Sequence, residues 1–251
     1  MSDEAFRLDG KTAVVLGASR GIGAASAVAC ARAGAQVVLL GRSWDDLVMV
    51  SEQILQAGGR ALIGACDVTS KQSIDQAFAS IEHVDVFVNS AGINRPQPFL
   101  DVAEETYDGI FAVNVRGAFF AAQAALRKMR AARQGGAIVM MSSQMGHVGA
   151  PLRTVYCATK HAIEGLTKSL AVEAAPFGVR VVSIAPTFVR TAMTAMQLDD
   201  PEIGPGLLDQ IPLGRFGTPE EIATAVVYAA SPAAAMMSGS SLRLDGGWTA
   251  R

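Results

Sequence analysis

The stretch "VVLGASRGIGAASAVACARAGA" (residues 14–35) runs from an apolar segment through a glycine-punctuated turn into a helical pattern. Gly17, Gly21 and Gly23 lie in the turn. Without Cβ atoms, the backbone there can turn tightly and approach a pyrophosphate, which binds at the N-terminus of the helix. The strand–turn–helix context is what makes such a glycine motif predictive. We therefore predict a dinucleotide site here rather than a packing turn without a ligand.

The same alternation of apolar runs and helical patterns continues along the chain. Most of the runs are continuously apolar, as expected for strands covered on both faces of a parallel sheet. The predicted strands are 12–17, 36–40, 61–67, 84–89, 137–142, 180–185 and 241–245, and the predicted helices are 21–33, 44–57, 70–82, 104–131, 157–175 and 219–230. This order predicts an α/β fold, a single Rossmann-type doubly wound seven-stranded parallel sheet with helices on both faces, in one domain spanning residues 1–251.

Residues 187–215 break this alternation. The segment carries several Pro and Gly residues and has no clear strand pattern. In a fold of this kind, a long irregular insertion after a strand is usually a lid or a substrate loop. We therefore predict a substrate loop at about 187–215.

Composition and charge exclude several classes of protein. Half of the 251 residues are hydrophobic and the net charge is −2, which suits a globular core and gives no basic stripe for nucleic acid or anionic membranes. The polar start "MSDEAFRLDG" is not a secretory signal, and the apolar runs are shorter than the roughly 20 residues that span a bilayer. Three widely spaced cysteines suit neither a disulfide framework nor a metal site, so we expect a cytoplasmic protein without a metal.

A tyrosine and a lysine stand four residues apart in "VYCATKHAIEGL" (155–166). On a helix this spacing puts Tyr156 and Lys160 on one face. The pair could be two solvent-exposed residues without a function, or it could act together at a site. A free phenol has a pKa of about 10. A neighbouring ammonium favours the phenolate, so we expect Lys160 to lower the pKa of Tyr156.

The remaining motifs carry a family resemblance. The glycine spacing Gly-x-x-x-Gly-x-Gly is followed, in order, by "CDV" (66–68), "NSAG" (89–92), "FAVNVRGAFF" (111–120), "VMMSS" (139–143), "YCATK" (156–160), "IAPTFVRTAM" (184–193) and "LRLDGGW" (242–248). With these motifs the chain resembles the short-chain dehydrogenase/reductase family, in its compact single-domain branch, over nearly its whole length. The resemblance implies reversible hydride transfer between a nicotinamide and a carbonyl or secondary-alcohol carbon.

The resemblance also implies four catalytic residues. Tyr156 would be the general acid in reduction and the base in oxidation. Ser143 would donate a hydrogen bond to the substrate oxygen, where negative charge develops. Lys160 would tune Tyr156 and hold the ribose hydroxyls of the cofactor. Asn114 lies on a helix that is distorted in the family to hold a water next to the lysine, which completes a proton relay to solvent.

The predicted cofactor site includes residues at the ends of the first, second, third, fourth and sixth predicted strands, together with Tyr156 and Lys160. Its residues are Gly17, Ser19, Arg20, Gly21, Ile22, Gly23, Arg42, Ser43, Asp67, Val68, Asn89, Ala91, Gly92, Tyr156, Lys160, Pro186, Val189 and Thr191. Three positions depart from the family pattern: Leu16 replaces a usual Thr, Ser90 a second Asn, and Thr187 the Gly that follows Pro186.

The end of the second predicted strand decides between NADP(H) and NAD(H). An acidic residue there binds a ribose 2′-OH, whereas an arginine accommodates a 2′-phosphate. Gly41 stands at the acidic position, with Arg42 and Ser43 next to it and Arg20 in the glycine turn. Guanidinium suits phosphate in charge and donor geometry. We predict NADP(H), with NAD(H) as the less favoured alternative.

The substrate is less determined by the sequence. Polar residues near the predicted pocket are Asn94, Arg95, Gln144, His147 and Arg153, a set that suits a polyhydroxy ligand. "GRS" and "DGGW" are similar to stretches of the family's gluconate and polyol dehydrogenases. We therefore expect a sugar, sugar acid or polyol as the small-molecule substrate.

Two alternatives remain. A 3-oxoacyl-thioester reductase is one, although the basic surface that such relatives carry near the active-site mouth is not obvious here. A dinucleotide-binding regulatory protein without turnover is the other, and the presence of all four catalytic residues argues against it. By resemblance, helices 104–131 and 157–175 pair between subunits, which predicts a homotetramer.

Overall fold

In the computed structural model, which describes residues 3–250, seven parallel strands form one sheet in the order β3-β2-β1-β4-β5-β6-β7. The strands are β1 Thr12–Leu16, β2 Gln36–Gly41, β3 Arg60–Ala65, β4 Val86–Asn89, β5 Gly136–Met141, β6 Val179–Pro186 and β7 Ser241–Leu244. Every pairing is parallel. The predicted seven-stranded α/β fold is confirmed.

The burial of the strands follows their position in the sheet. The central strands β1 and β4 are buried along almost their whole length, because helices cover both faces. The outer strand β3 is partly exposed throughout and begins with an exposed Arg60. The chain reverses its direction of winding between β1 and β4, and such a switch point opens a crevice at the carboxyl ends of the strands.

Helices and one π-helical turn connect the strands. They are α1 Gly21–Arg32, α2 Trp44–Gln56, α3 Lys71–Ala79, α4 Glu104–Phe111, the π turn Ala112–Gly117, α5 Ala118–Ala132, α6 Thr154–Ala174, α7 Ala195–Leu198, α8 Gly204–Leu208 and α9 Pro219–Ala230. Helices α1, α2 and α9 contribute to one buried apolar cluster. Helices α3, α5 and α6 contribute to a second cluster, on the other face of the sheet.

Two helices differ from their predicted form. The predicted helix 104–131 is broken by the π turn, and α6 begins at Thr154 rather than at residue 157. Tyr156 therefore lies in the first turn of α6. By length and composition alone, the stretch Glu104–Ala132 could cross a membrane, but half of it is buried, and Ala121, Ala125 and Met129 pack in the core.

The segment 187–215 holds two short helices, α7 and α8, and no strand of the main sheet. An isolated parallel bridge between Val189 and Gly217 closes its base. The backbone N–H of Thr187 donates to the carbonyl of Leu244 on β7, at 3.1 Å. The segment therefore begins at the end of β6, and the chain that follows it passes next to this strand end again at Gly217.

Candidate active site

A cavity of about 450 Å³ lies at the carboxyl ends of the central strands. We call its two sides the glycine-turn half (residues 17–23, 41–43 and 90–92) and the loop half (Asn94, residues 142–145, Arg153 and residues 187–197). The first half follows β1, β2 and β4, and the second, apart from Asn94, follows β5 and β6. Tyr156 and Lys160 of α6 line the same cavity.

The glycine turn has a geometry that side chains would block. Gly17 and Gly21 adopt left-handed backbone angles, with φ of 81° and 57°. A Cβ on Gly23 would lie 2.0 Å from the carbonyl oxygen of Gly17, and one on Gly17 would lie 2.7 Å from the backbone nitrogen of Ala91. Three backbone segments therefore approach one another more closely than any residue except glycine allows.

Most of the predicted cofactor residues line this cavity. They are Gly17, Ser19, Arg20, Gly21, Ile22, Gly23, Arg42, Ser43, Val68, Ala91, Gly92, Tyr156, Lys160, Pro186, Val189 and Thr191. Asp67 and Asn89 do not line it. The Asp67 carboxylate accepts hydrogen bonds from the backbone and hydroxyl of Thr69, which lower its pKa, and Asn89 is buried at the end of β4.

The end of β2 brings Arg42 and Ser43 to the same cavity as Arg20. Asp45 and Asp46 lie in the first turn of α2, where acidic residues favour the helix dipole. Gly41 also lines the cavity, so no acidic side chain stands at the position that would meet a ribose 2′-OH. The donor set here fits a phosphate better than a hydroxyl.

Lys160 and Ser143 approach Tyr156 from different sides. The Lys160 Nζ lies 5.5 Å from the centre of the Tyr156 ring and donates a hydrogen bond to the carbonyl of Met141, at 2.8 Å. Ser143, at the end of β5, is hydrogen-bonded to the Tyr156 side chain. The three side chains share one wall of the cavity.

Burial dominates the protonation of this group. Desolvation raises the pKa of Tyr156 to about 12, against smaller lowering effects of the Ser143 hydrogen bond and the Arg153 charge. The expectation that Lys160 lowers this pKa is not met, because the Lys160 ammonium donates to Met141 and is itself desolvated, which lowers its pKa to about 8. At neutral pH the phenol is a proton donor.

Asn114 lies behind this wall, in the π turn, and does not line the cavity. Its Oδ1 accepts from the N–H of Ile93 at 2.8 Å, and its Nδ2 donates to the Ile93 carbonyl at 2.9 Å and to the Thr159 hydroxyl at 3.1 Å. π turns interrupt α-helices mainly at functional sites. This one ties the segment after β4 to α6 directly beside Lys160.

Three of the five polar residues expected near the pocket, Asn94, Gln144 and Arg153, line the cavity, and Arg95 and His147 do not. Thr187, Phe188, Met193 and Gln197 also line it, although the sequence did not assign them to the site. The first three lie in the motif "IAPTFVRTAM", whereas Gln197 lies beyond it and had no signal except its position in the loop.

His147 lies outside the cavity, which corrects its placement on the pocket wall. Its Nε2 lies 3.0 Å from the Ser241 hydroxyl and 3.3 Å from the Glu164 carboxylate. The Glu164 carboxylate also accepts from the Ser183 hydroxyl at 2.8 Å. The short turn Gln144–Gly146 directs His147 toward β7 and away from the cavity.

Comparison with known proteins agrees with this geometry. The chain matches, over residues 17–249, the family model described as "Enoyl-(Acyl carrier protein) reductase". It is 40% identical over 248 residues to D-threitol dehydrogenase of Mycolicibacterium smegmatis, covering 97% of this chain and 95% of that one. It is 39% identical over 247 residues to a 3-oxoacyl-[acyl-carrier-protein] reductase of Aquifex aeolicus, covering 96% and 98%.

A solved structure is also similar. A gluconate 5-dehydrogenase of Burkholderia cenocepacia J2315, in complex with NADP and tartrate, superposes with a TM-score of 0.94 at 30% identity. The match covers 99% of this chain and 98% of that one.

Proposed function

The chain belongs to the short-chain dehydrogenase/reductase family, and we propose that it is an NADP(H)-dependent oxidoreductase acting on a sugar, sugar acid or polyol. That it acts on a CH–OH or C=O group follows from the family and its relatives. The observation that carries the proposal is the convergence of Ser143, Tyr156 and Lys160 on one wall of the cavity.

The cofactor preference rests on the glycine-turn half. The close backbone approach at Gly17 and Gly23 suits a pyrophosphate, and Arg20, Arg42 and Ser43 suit a ribose 2′-phosphate. A bound nicotinamide would supply or accept the hydride. The NADP named in the complex of the gluconate 5-dehydrogenase supports the same preference.

The protein's own groups handle the proton. In reduction, the Tyr156 phenol gives its proton to the substrate oxygen as the carbonyl carbon gains the hydride, and in oxidation the phenolate takes that proton back. Ser143 stabilises the negative charge that develops on this oxygen. Lys160 lies beside the Tyr156 ring, where its ammonium can hold the ribose hydroxyls of the cofactor, and Asn114 orders the segment through which the proton is replaced from solvent.

The substrate class rests on the loop half and on the relatives. Asn94, Gln144 and Arg153 offer hydrogen bonds to a hydroxylated chain. The names D-threitol dehydrogenase and gluconate 5-dehydrogenase point to polyols and sugar acids. The 3-oxoacyl reductase relative makes a thioester the second candidate.

We also infer a cytoplasmic homotetramer, by analogy with the family. A stable monomer in sedimentation velocity would contradict this assembly without affecting the proposed reaction.

The test is turnover with NADPH and NADP⁺ over keto-sugars, sugar acids, polyols and acetoacetyl thioesters, with NADH and NAD⁺ in parallel. We expect Tyr156-dependent turnover of a hydroxylated substrate, with the phosphorylated cofactor preferred. Turnover of thioesters alone would favour the second candidate. Binding of NADPH without turnover of any compound would contradict the enzymatic proposal and favour a regulatory binding protein.

A further inference from the structure

Arg153 is a buried arginine without an anionic partner. Only 8% of its surface is exposed, and it lines the cavity. Buried charged residues in proteins are almost always paired. Within residues 3–250, however, Arg153 makes its hydrogen bond to an amide, that of Gln197, at 2.9 Å. The charge is thus desolvated, and no acidic residue among residues 3–250 forms an ion pair that compensates it.

The titratable groups next to Arg153 do not neutralise its charge at neutral pH. Its electrostatic neighbours are Tyr156 and Cys157. Burial raises the pKa of both, that of Tyr156 to about 12, so both stay protonated and uncharged. Desolvation also lowers the pKa of Arg153 itself, which measures the cost of keeping this cation here.

The fold fixes Arg153 in position by packing. The guanidinium carbon lies 5.5 Å from the centre of the Phe188 ring, an attractive cation–π arrangement. Leu152, the preceding residue, adopts a left-handed conformation with φ of 60°, which is rare and strained for leucine. Its carbonyl accepts from the N–H of Gln97 at 2.8 Å. Strain of this kind clusters at functional sites.

Other polar atoms of the loop half also have no hydrogen-bond partner in the part of the chain that the structure describes. Gln144 is 1% exposed, and neither its Oε1 nor its Nε2 makes a hydrogen bond. Asn94 Oδ1 and Thr187 Oγ1 are buried and unpaired as well. All three residues line the cavity with Arg153. Leaving buried polar groups unpaired is costly, so this wall is built for a ligand that pairs them.

We propose that the substrate carries a carboxylate, which binds Arg153 while its hydroxyls pair with Gln144, Asn94 and Thr187. The proposal rests on the oxidoreductase function above and narrows the substrate to a hydroxylated carboxylic acid of the aldonate class. The planar guanidinium fork matches the two oxygens of a carboxylate. One cation balances one carboxylate, whereas a phosphate dianion would leave excess negative charge in the loop half.

The kinetic test compares pairs of compounds that differ only in the charged end. D-Gluconate and D-glucitol, and the other aldonate–alditol pairs, are assayed with NADP⁺ on the wild type, Arg153→Gln, Arg153→Lys and the remote control Arg60→Gln. We expect the wild type to prefer the acid. Arg153→Gln should raise KM for the acid about 30- to 100-fold, as for the loss of one partner of a buried charged pair, with only a small change for the alditol. Arg153→Lys should retain part of the preference.

A binding test keeps this proposal separate from the proposed reaction. D-Gluconate, D-glucitol and D-glucitol 6-phosphate are titrated into the NADP⁺ complex by calorimetry. Binding of gluconate alone that is lost in Arg153→Gln supports the carboxylate site even when no compound is turned over. Turnover of alditols with equal or weaker binding of acids overturns the carboxylate proposal and leaves the oxidoreductase function intact.

Two further outcomes would also overturn it. Tighter binding of the sugar phosphate than of gluconate would assign a different anion to Arg153. An equal loss of kcat for acid and alditol in Arg153→Gln, with KM unchanged and a shifted pH profile, would mean that Arg153 acts on Tyr156 instead of on the substrate.

Discussion

The two halves of the cavity are built in different ways. The glycine-turn half is shaped by backbone: Gly17, Gly21 and Gly23 remove side chains so that strand ends and the start of α1 approach one another. The loop half is shaped by side chains: Arg153 and Gln144 are buried, and the polar atoms of Gln144 and the buried Oγ1 of Thr187 make no hydrogen bond within the described residues. The glycine-turn half therefore depends on residues without side chains, and the loop half depends on side chains whose polar atoms have no hydrogen-bond partner.

This difference explains why one half is common to many enzymes and the other is particular. A backbone cradle binds the part of the ligand that is the same in every reaction of the family, the dinucleotide. Side-chain polar groups select by charge and hydrogen bonding, and a few replacements change the selection. Tyr156 and Lys160 line the same cavity as both halves.

The largest effect is expected where the halves meet. Tyr156→Phe removes the proton donor and should lower kcat by about 10³- to 10⁴-fold, within the range of general acid–base catalysis. NADPH binding should persist, because the glycine-turn half is untouched. Steady-state kinetics and NADPH fluorescence titration measure the two quantities. The control is Tyr228→Phe on α9, and a residual rate within tenfold of wild type would remove Tyr156 from this role.

Disrupting the glycine turn should weaken cofactor binding more than any other property of the protein. In Gly23→Ala the new Cβ would lie 2.0 Å from the Gly17 carbonyl oxygen, so the turn must open. We expect the Kd for NADPH to rise about 100-fold or more, since the loss of a few kcal/mol of fit has that effect. Gly165→Ala on α6, where a Cβ meets nothing within 4 Å, is the control. Unchanged NADPH affinity would show that the turn is not the phosphate cradle.

A charge reversal tests the one place where the glycine-turn half selects by side chain. Arg42→Asp replaces a guanidinium that can donate hydrogen bonds to the 2′-phosphate with a carboxylate that can accept one from the ribose 2′-OH. The ratio of kcat/KM for NADPH over NADH should shift by about 30- to 100-fold toward NADH. The same reversal at Arg60, on the outer strand, should leave this ratio unchanged. A ratio that stays constant in Arg42→Asp would contradict the NADP(H) assignment.

Lys160 should leave a signature in the pH dependence of stability. Burial lowers its pKa to about 8, whereas an unfolded lysine titrates near 10.4. Between these values the unfolded chain binds more protons, so the contribution of Lys160 to the free energy of unfolding rises with pH. Relative to Lys160→Met, the wild type should gain on the order of 2 kcal/mol from pH 8 to 10. Urea unfolding followed by circular dichroism measures this difference, and a flat difference would contradict the buried, depressed pKa.

The smallest effect should come from the strain beside Arg153. Leu152→Gly relieves a left-handed conformation but loosens the chain, so the free energy of unfolding should change by less than about 1 kcal/mol. The KM for a carboxylate substrate should rise a few-fold, because Arg153 loses its rigid support. Arg133→Gly relieves the same strain at the end of α5, with φ of 56°, and should leave KM unchanged. Equal KM values in both variants would show that Leu152 has no part in positioning Arg153.

The sequence predicted the fold and the glycine-turn half well, for a physical reason. Buried parallel strands require continuous apolar runs, and a tight turn requires glycine, so both leave local traces in the sequence. The π turn around Asn114 was expected from the family resemblance alone. The pKa of Tyr156 is raised, opposite to the expectation, because desolvation by burial is the largest effect and the lowering effects come from Ser143 and Arg153 rather than from Lys160.

The loop half could not be predicted in the same way. Phe188 and Gln197 meet Arg153 only through the path of residues 187–197, which no periodicity encodes. His147 shows the converse, since its position after Ser143 suggested a pocket wall and the turn carries it toward Ser241 and Glu164. The sequence therefore predicts that a residue lies in a loop, but it does not predict the side of the loop on which the residue faces its neighbours.

One of the chain's two tryptophans lies next to the glycine-turn half of the cavity and the other next to the loop half. Trp44 begins α2 directly after Ser43 and is half exposed. Trp248 lies in the C-terminal 3₁₀ turn, with its ring 5.6 Å from Phe188, the ring against which Arg153 packs. Tryptophan emission therefore has two sources, one next to each half. In Trp44→Phe the tryptophan emission comes from Trp248 alone, so the response of the loop half to a ligand can be followed in stopped-flow experiments without any added label, and comparison with the wild type adds the response near Ser43.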